Sequence, residues 1–127
     1  MKFYIAARFK LKDQVKRIYC LLRERGHEIA YDWTEEGLIK PYSENEDLAR
    51  DIAIKSLNAS ESCDVFVLIS DEAGTDMYGE LGSAIASRKP QVYVIGESLD
   101  RSKFFFHSRV KRMKSIDEVL QDLELTQ

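Results

Sequence analysis

The spacing of apolar positions changes period repeatedly along the chain. Lys2-Phe-Tyr-Ile-Ala6 is short, apolar and rich in β-formers, which predicts a first strand. After the polar segment 8–13, Val15, Ile18, Tyr19, Leu21 and Leu22 recur at helical spacing, and Gly26 is placed to end that helix. His27–Tyr31 alternates and predicts a second strand, leading into Asp32-Trp33. Residues 34–43, with Gly37, Pro41 and Ser43, read as a loop. Ser43-Glu-Asn-Glu46 fits a capping box that opens a second helix carrying Leu48, Ile52 and Leu57, to about Ser60. Asp64-Val-Phe-Val-Leu-Ile-Ser70 is almost continuously apolar, as in a strand covered on both faces. A glycine-containing loop, 71–76, precedes a helix over about Tyr78–Ser87. Lys89-Pro90 breaks the chain before a fourth strand, Gln91–Ile95. Phe104–Met113 holds a short fifth strand, and Ser115-Ile-Asp-Glu118 is a second capping-box pattern, opening a last helix over 116–124.

Strands alternating with helices predict a parallel sheet with right-handed crossovers. The expected fold is α/β: a single flavodoxin-like or Rossmann-like doubly wound domain over 1–127, its five parallel strands ordered 2-1-3-4-5. In such sheets ligands bind beyond the carboxyl ends of the strands, where the strand order reverses. That rule selects Ala6–Phe9, Asp32–Thr34 and Ser70–Met77.

Composition narrows the function classes. The chain has 127 residues, 44% of them hydrophobic and 32% charged, an ordinary globular balance. Lys+Arg 19 against Asp+Glu 22 gives 19 − 22 = −3, which argues against a nucleic-acid binder. The longest strictly apolar run, Val65–Ile69, is far shorter than the roughly 18 residues of a membrane helix, and no signal peptide is visible, so a cytoplasmic protein is expected. Cys20 and Cys63 read as reduced, buried thiols. There is no Cys-x-x-Cys, and His27 and His107 stand apart, so neither metal nor cofactor is expected. The stretch from Arg101 to Lys114 is basic and without acids; it is either a solvated stretch or a patch for a phosphate or partner. Phe104-Phe-Phe106 reads as core or as a dimer contact. Asp64, at the start of its strand, reads as structural.

The richest stretch for chemistry is Ser70-Asp-Glu-Ala-Gly-Thr-Asp-Met-Tyr-Gly-Glu-Leu-Gly82. It follows the most apolar strand and opens a helix, whose free N–H groups favour an anion. It is neither a Walker loop nor a Gly-x-Gly-x-x-Gly motif, and it also fits an ordinary strand-to-helix loop with a capping carboxylate. Glu80 stands out, because a capping glutamate has no need of Gly79 and Gly82 around it, whereas a carboxylate facing a ligand needs the room.

Together, Phe3-Tyr-Ile-Ala-Ala-Arg-Phe9, Asp32-Trp33, Cys63-Asp-Val-Phe-Val-Leu-Ile-Ser70, Gly74-Thr-Asp-Met-Tyr-Gly-Glu-Leu-Gly-Ser-Ala84 and Lys89-Pro-Gln-Val-Tyr-Val-Ile95 resemble the nucleoside 2-deoxyribosyltransferase family, which includes 2′-deoxynucleoside 5′-phosphate N-hydrolases. The resemblance spans about residues 2–95. It implies that Glu80 attacks the anomeric carbon of a nucleoside or nucleoside 5′-monophosphate and displaces the base, after which water or a second base resolves the glycosyl-enzyme. It implies that Tyr4 orients Glu80 and that Gly74, Thr75, Met77 and Gly79 line the sugar or its 5′ end, with Thr75 the nearest hydroxyl for a phosphate. Ala6, beside the first strand's end, and Arg8 fall at the substrate, with Arg8 a candidate for phosphate or base; Trp33 is placed to stack on the base or to pack. An N-glycosidase or deoxyribosyltransferase with a small-molecule partner and a homodimeric or larger assembly is the resulting expectation. One position departs: where the family carries a helix-2 aspartate that assists the leaving base, this chain has Ser56, a site residue unable to act as an acid at neutral pH. Asp71 or Asp76 is the alternative acid. Ser56 also keeps open a module that binds nucleotides without turnover, and a TIR-like module is a further alternative.

Overall fold

The computed structural model describes residues 1–126. Five strands, β1 (Lys2–Ala6), β2 (Glu28–Ile29), β3 (Val65–Ser70), β4 (Gln91–Gly96) and β5 (Val110–Met113), form one sheet ordered β2-β1-β3-β4-β5. Every pairing is parallel, in the register Phe3↔Val65, Val65↔Gln91 and Val92↔Val110. Four helices, α1 (Lys12–Glu24), α2 (Glu46–Ser62), α3 (Asp76–Ser87) and α4 (Ile116–Leu125), complete the Rossmann-like layers.

The two-residue period of the strands sends alternate side chains to opposite faces. Phe3, Ile5, Val65, Val67, Ile69, Tyr93 and Ile95 meet α1 and α4 on one side. Tyr4, Ala6, Phe66, Leu68, Val92 and Val94 meet Ala59 of α2, Met77, Leu81 and Ala84 of α3, and Phe105 on the other. All six residues of β3 are buried, as expected of a central parallel strand.

Several local expectations are corrected. The second strand ends at Ile29 rather than Tyr31. The capping box at Ser43 does not form: Ser43 lies in a 3₁₀ turn, Tyr42–Glu44, and α2 starts from Asn45, whose side chain donates back to the carbonyls of Ile39 and Pro41. The loop thus captures the capping residue. Helix α3 begins at Asp76, ahead of Tyr78. At α4 half of the box forms: Ser115 accepts from the Glu118 N–H, while the Glu118 carboxylate accepts from the Lys114 N–H instead of that of Ser115. Cys20 is exposed on the outer side of α1, whereas Cys63 is buried and desolvation pushes its thiol up to about 12. Leu48, Ile54 and Leu57 of α2 are exposed, because only Ala59 and Ser60 of that helix are buried. In the aromatic triplet, Phe105 is core and Phe104 and Phe106 face outward. The Asp64 carboxylate accepts from the Lys2 N–H at 2.8 Å and ties β3 to β1, a structural role as expected.

The short β2 leaves a gap in the ladder. Beyond Phe3, the next β1 peptide that faces β2 is that of Ile5. Its N–H donates to the buried Tyr19 hydroxyl at 3.0 Å, and its carbonyl accepts from Trp33 Nε1 at 2.7 Å. Two side chains stand in for the missing strand. Tyr19→Phe removes the acceptor and strands a buried N–H, so it should cost about 1–3 kcal/mol. Urea denaturation would show a lower midpoint at unchanged slope; a midpoint equal to wild type would mean that the peptide is satisfied elsewhere.

Candidate active site

A cleft of about 950 Å³ opens at the carboxyl edge of β1 and β3, where the strand order reverses. Its walls are the end of β1 and Arg8, Trp33, the loop from Glu36 to Tyr42, one face of α2 with Ser56, and the start of α3.

Glu80 lies one helical turn into α3, on the same face as Asp76. Tyr4 is buried in β1 and points to the α3 side of the sheet, where its hydroxyl donates to Glu80 Oε2. Burial raises the Glu80 carboxyl to about 7; the Tyr4 hydrogen bond opposes the rise, the charge of Asp76 adds to it, and the nearby Ser56 hydroxyl again opposes it. Tyr4 is pushed well above its ordinary value by burial and by Glu80, so it remains a donor. The result is a carboxylate poised near neutrality and held at one oxygen by a phenol that does not ionise.

The start of α3 is fixed by charge and by close packing. Arg8 Nε and Nη2 hold Asp71 through three contacts of 2.7–3.0 Å, and Arg8 also lies 3.7 Å from Glu72. This pairing lowers Asp71 below its ordinary range. Gly74, at φ +114°, packs so closely that an added Cβ would meet Met77 Cε at 2.7 Å and Arg8 Cγ at 2.9 Å. An added Cβ at Gly79 would meet no protein atom within 4 Å, so the missing side chain there keeps the cleft open.

The fold therefore brings Tyr4, Arg8, Trp33, Ser56, Gly74, Thr75, Met77, Gly79 and Glu80 to one cleft. Two expected residues fall elsewhere. Ala6 is buried in the apolar layer beneath the cleft, and its neighbour Ala7, the first residue beyond the end of β1, takes the wall position. Asp71 stands behind the wall as the partner of Arg8. Trp33 packs against both apolar layers and donates to Ile5, while also lining the cleft. The segment 36–42 contributes walls that its loop-like composition did not reveal: Tyr31 donates to Glu36 at 3.0 Å, and Tyr42 donates to Asp76 at 2.7 Å across the cleft mouth. Among the described residues no group of three or more His, Cys, Asp and Glu could hold a metal ion, and no helix is long and apolar enough to cross a membrane.

A parallel sheet ordered 2-1-3-4-5 with helices on both faces is a Rossmann-like fold. The structure of Clostridium botulinum CMP N-glycosidase, BcmB, shares it at a TM-score of 0.58 and 21% sequence identity, over 98% of this chain and 99% of that one. No protein-family model matches the sequence, and no curated protein matches it.

The raised Glu80 has a consequence for stability. Between its ordinary value of 4.5 and about 7 the folded chain holds a proton that the unfolded chain has released. Stability from this group is thus complete below pH 4.5 and is lost as pH rises to 7, on the order of 3 kcal/mol. Glu80→Gln should therefore be more stable than wild type at pH 8 by about that amount, and nearly equal to it at pH 4. Denaturation at both pH values checks the difference; an equal gap at the two values would place the strain elsewhere than in the charge.

Proposed function

We propose that this chain is an N-glycosidase that cleaves the base–sugar bond of a nucleoside or nucleoside 5′-monophosphate, with Glu80 as nucleophile. The observation that carries this reading is the Tyr4–Glu80 hydrogen bond on the wall of a switch-point cleft. The ionised carboxylate attacks the anomeric carbon, the C–N bond breaks, and its electron pair leaves with the base. Water, or a second base, then attacks the same carbon and frees Glu80. Tyr4 fixes the attacking group by holding one of its oxygens. Trp33 and the α2 wall would flank the base, and Gly74, Thr75, Met77 and Gly79 the sugar.

Asp71 is unsuited to be the acid for the leaving base, because Arg8 holds it ionised behind the cleft wall. Ser56 favours the second reading, a module that binds without turnover, since it supplies no acid where the resemblance calls for one. Incubation with nucleosides, nucleoside monophosphates and NAD, followed by chromatography for free base, separates the two. Release of base is expected. Glu80→Gln should then lower kcat by roughly a thousandfold or more, and kcat/KM should rise with pH through about 7 as Glu80 loses its proton. Full activity in Glu80→Gln would reject the nucleophile, and binding without any release would establish the module. Ser56→Asp should match or exceed the wild-type rate.

We also propose that the enzyme is a homodimer or larger, built on α2. Leu48, Ile54 and Leu57 are exposed on that helix, Ile54 at 55%, and Leu57 reaches the cleft wall as well. Ile54→Glu should shift sedimentation toward the monomer; a wild-type chain that already sediments as a monomer would refute the assembly.

A further inference from the structure

The basic stretch from Arg101 to Lys114 is set by the fold at one edge of the sheet. β5 is the outermost strand and pairs with β4 on one side alone. Its other side presents a row of peptide groups that can receive a further strand. Among the described residues, no turn, cap or side chain hydrogen-bonds the peptide groups of Lys111, Arg112 or Met113 on that side. The opposite edge of the sheet, β2, is only two residues long.

A fixed aromatic turn stands beside this edge. In the 3₁₀ turn Lys103–Phe106, the Phe105 ring is buried and stacks on Tyr78, 6.0 Å between centroids. The Ser102 hydroxyl accepts from the Phe104 N–H at 3.2 Å. Arg109 donates to the carbonyls of Ile85 and Pro90 at 2.7 and 2.8 Å and so fixes the chain that enters β5. These contacts hold Phe104 and Phe106 outward, 50% and 58% exposed. The Arg112 guanidinium lies 4.0 Å from the centroid of the Phe106 ring, and the Lys103 amine lies 5.4 Å from that of Phe104. Arg112 thus joins the turn to the strand. Lys111 is matched by Asp122 at 2.8 Å, but Arg101, Lys103, Arg112 and Lys114 have no acid partner among the described residues. In a chain of net charge −3, unmatched cations around two exposed rings are a segregation of charge that invites an anionic partner.

Three features have to be used together: a free row of peptide groups, two outward rings and unmatched cations. A second copy laid edge to edge would set Lys111 and Arg112 against themselves, and like charges across paired strands destabilise. A nucleic acid would use the cations and the rings but leave the peptide row unpaired. An extended acidic peptide uses all three. We propose that the β5 edge docks an extended acidic segment of a partner protein, which adds a sixth strand beside β5, turns its carboxylates to the unmatched cations and rests an apolar side chain on Phe104 and Phe106. Strand pairing supplies the affinity, and charge selects the partner. The surface is separate from the cleft, and its docking does not depend on the N-glycosidase reading.

The test is fluorescence anisotropy on the full chain with labelled peptides of about eight residues. The first alternates glutamate and valine, and the second carries lysine in place of glutamate. The third is the first with its backbone nitrogens methylated, which removes the donors of a strand. An oligouridylate of similar length is the nucleic-acid probe. The acidic peptide should bind at least about tenfold more tightly than the lysine peptide, and less tightly as salt rises. Methylation should weaken it about fivefold or more. Arg112→Glu and Phe106→Ala should each weaken it by a similar factor. Circular dichroism checks that both variants fold, and Lys103→Glu gives the same reading should Arg112→Glu unfold. An acidic peptide that does not bind, that binds equally well when methylated, or that is indifferent to the substitutions overturns the proposal. Tighter binding of the oligouridylate than of the acidic peptide overturns it as well.

Discussion

The peptide of Ile5 sets the geometry on which the cleft depends. Its N–H and C=O point toward a neighbouring strand that has already ended, since β2 consists of Glu28 and Ile29 alone. Buried peptide groups demand partners. Tyr19 from α1 supplies one and Trp33 from the following loop supplies the other. Because two side chains take over the role of a strand, the chain after β2 need not continue along the sheet edge. It swings across the carboxyl ends as the loop that runs through Glu36 and Tyr42 to α2, and it walls a cleft where a longer β2 would have extended the sheet.

Within that cleft the main tension is electrostatic. Burial strips the Glu80 carboxylate of competing solvation, and the same desolvation makes its charge costly to the fold. Tyr4 recovers part of that cost through a hydrogen bond that favours the charged form, while Asp76 adds to it. The balance leaves Glu80 near neutrality. The site is thus a place where the folded chain carries strain that a core residue would not, in the pattern expected where chemistry is done.

The two flanks of the cleft are held differently. On the α3 side, the Arg8–Asp71 pair and the close fit of Gly74 against Met77 and Arg8 make a fixed edge. On the α2 side, the helix meets the core mainly through its last turns, at Ala59 and Ser60, and its first half presents apolar residues outward. A fixed edge beside Glu80 therefore faces a helix that turns apolar residues outward.

Much of this was legible in the residues alone. The apolar run of β3, the alternation of strand and helix and the breaks at Gly26 and Lys89-Pro90 led to the correct strand order, because each is a local pattern with one low-energy answer. Tyr4 and Glu80 were legible as a pair through the resemblance of their motifs. Other features needed the assembled fold. Ser43 satisfied the spacing of a capping box, but capping depends on where the chain arrives from, and the loop turned Asn45 back on itself. Cys20 was expected to be buried, yet helical rotation placed it outward. Ala6 and Ala7 are alike in sequence, and only the point where β1 ends decided which one meets the cleft. Asp71 and Asp76 were interchangeable candidates along the chain; the first lies against Arg8 and the second faces Tyr42 across the cleft. Sequence patterning determined the elements and their order, since burying a hydrophobic stripe is a one-dimensional problem. Tertiary structure decided which charges meet, since that depends on the lateral approach of loops whose residues carry no period.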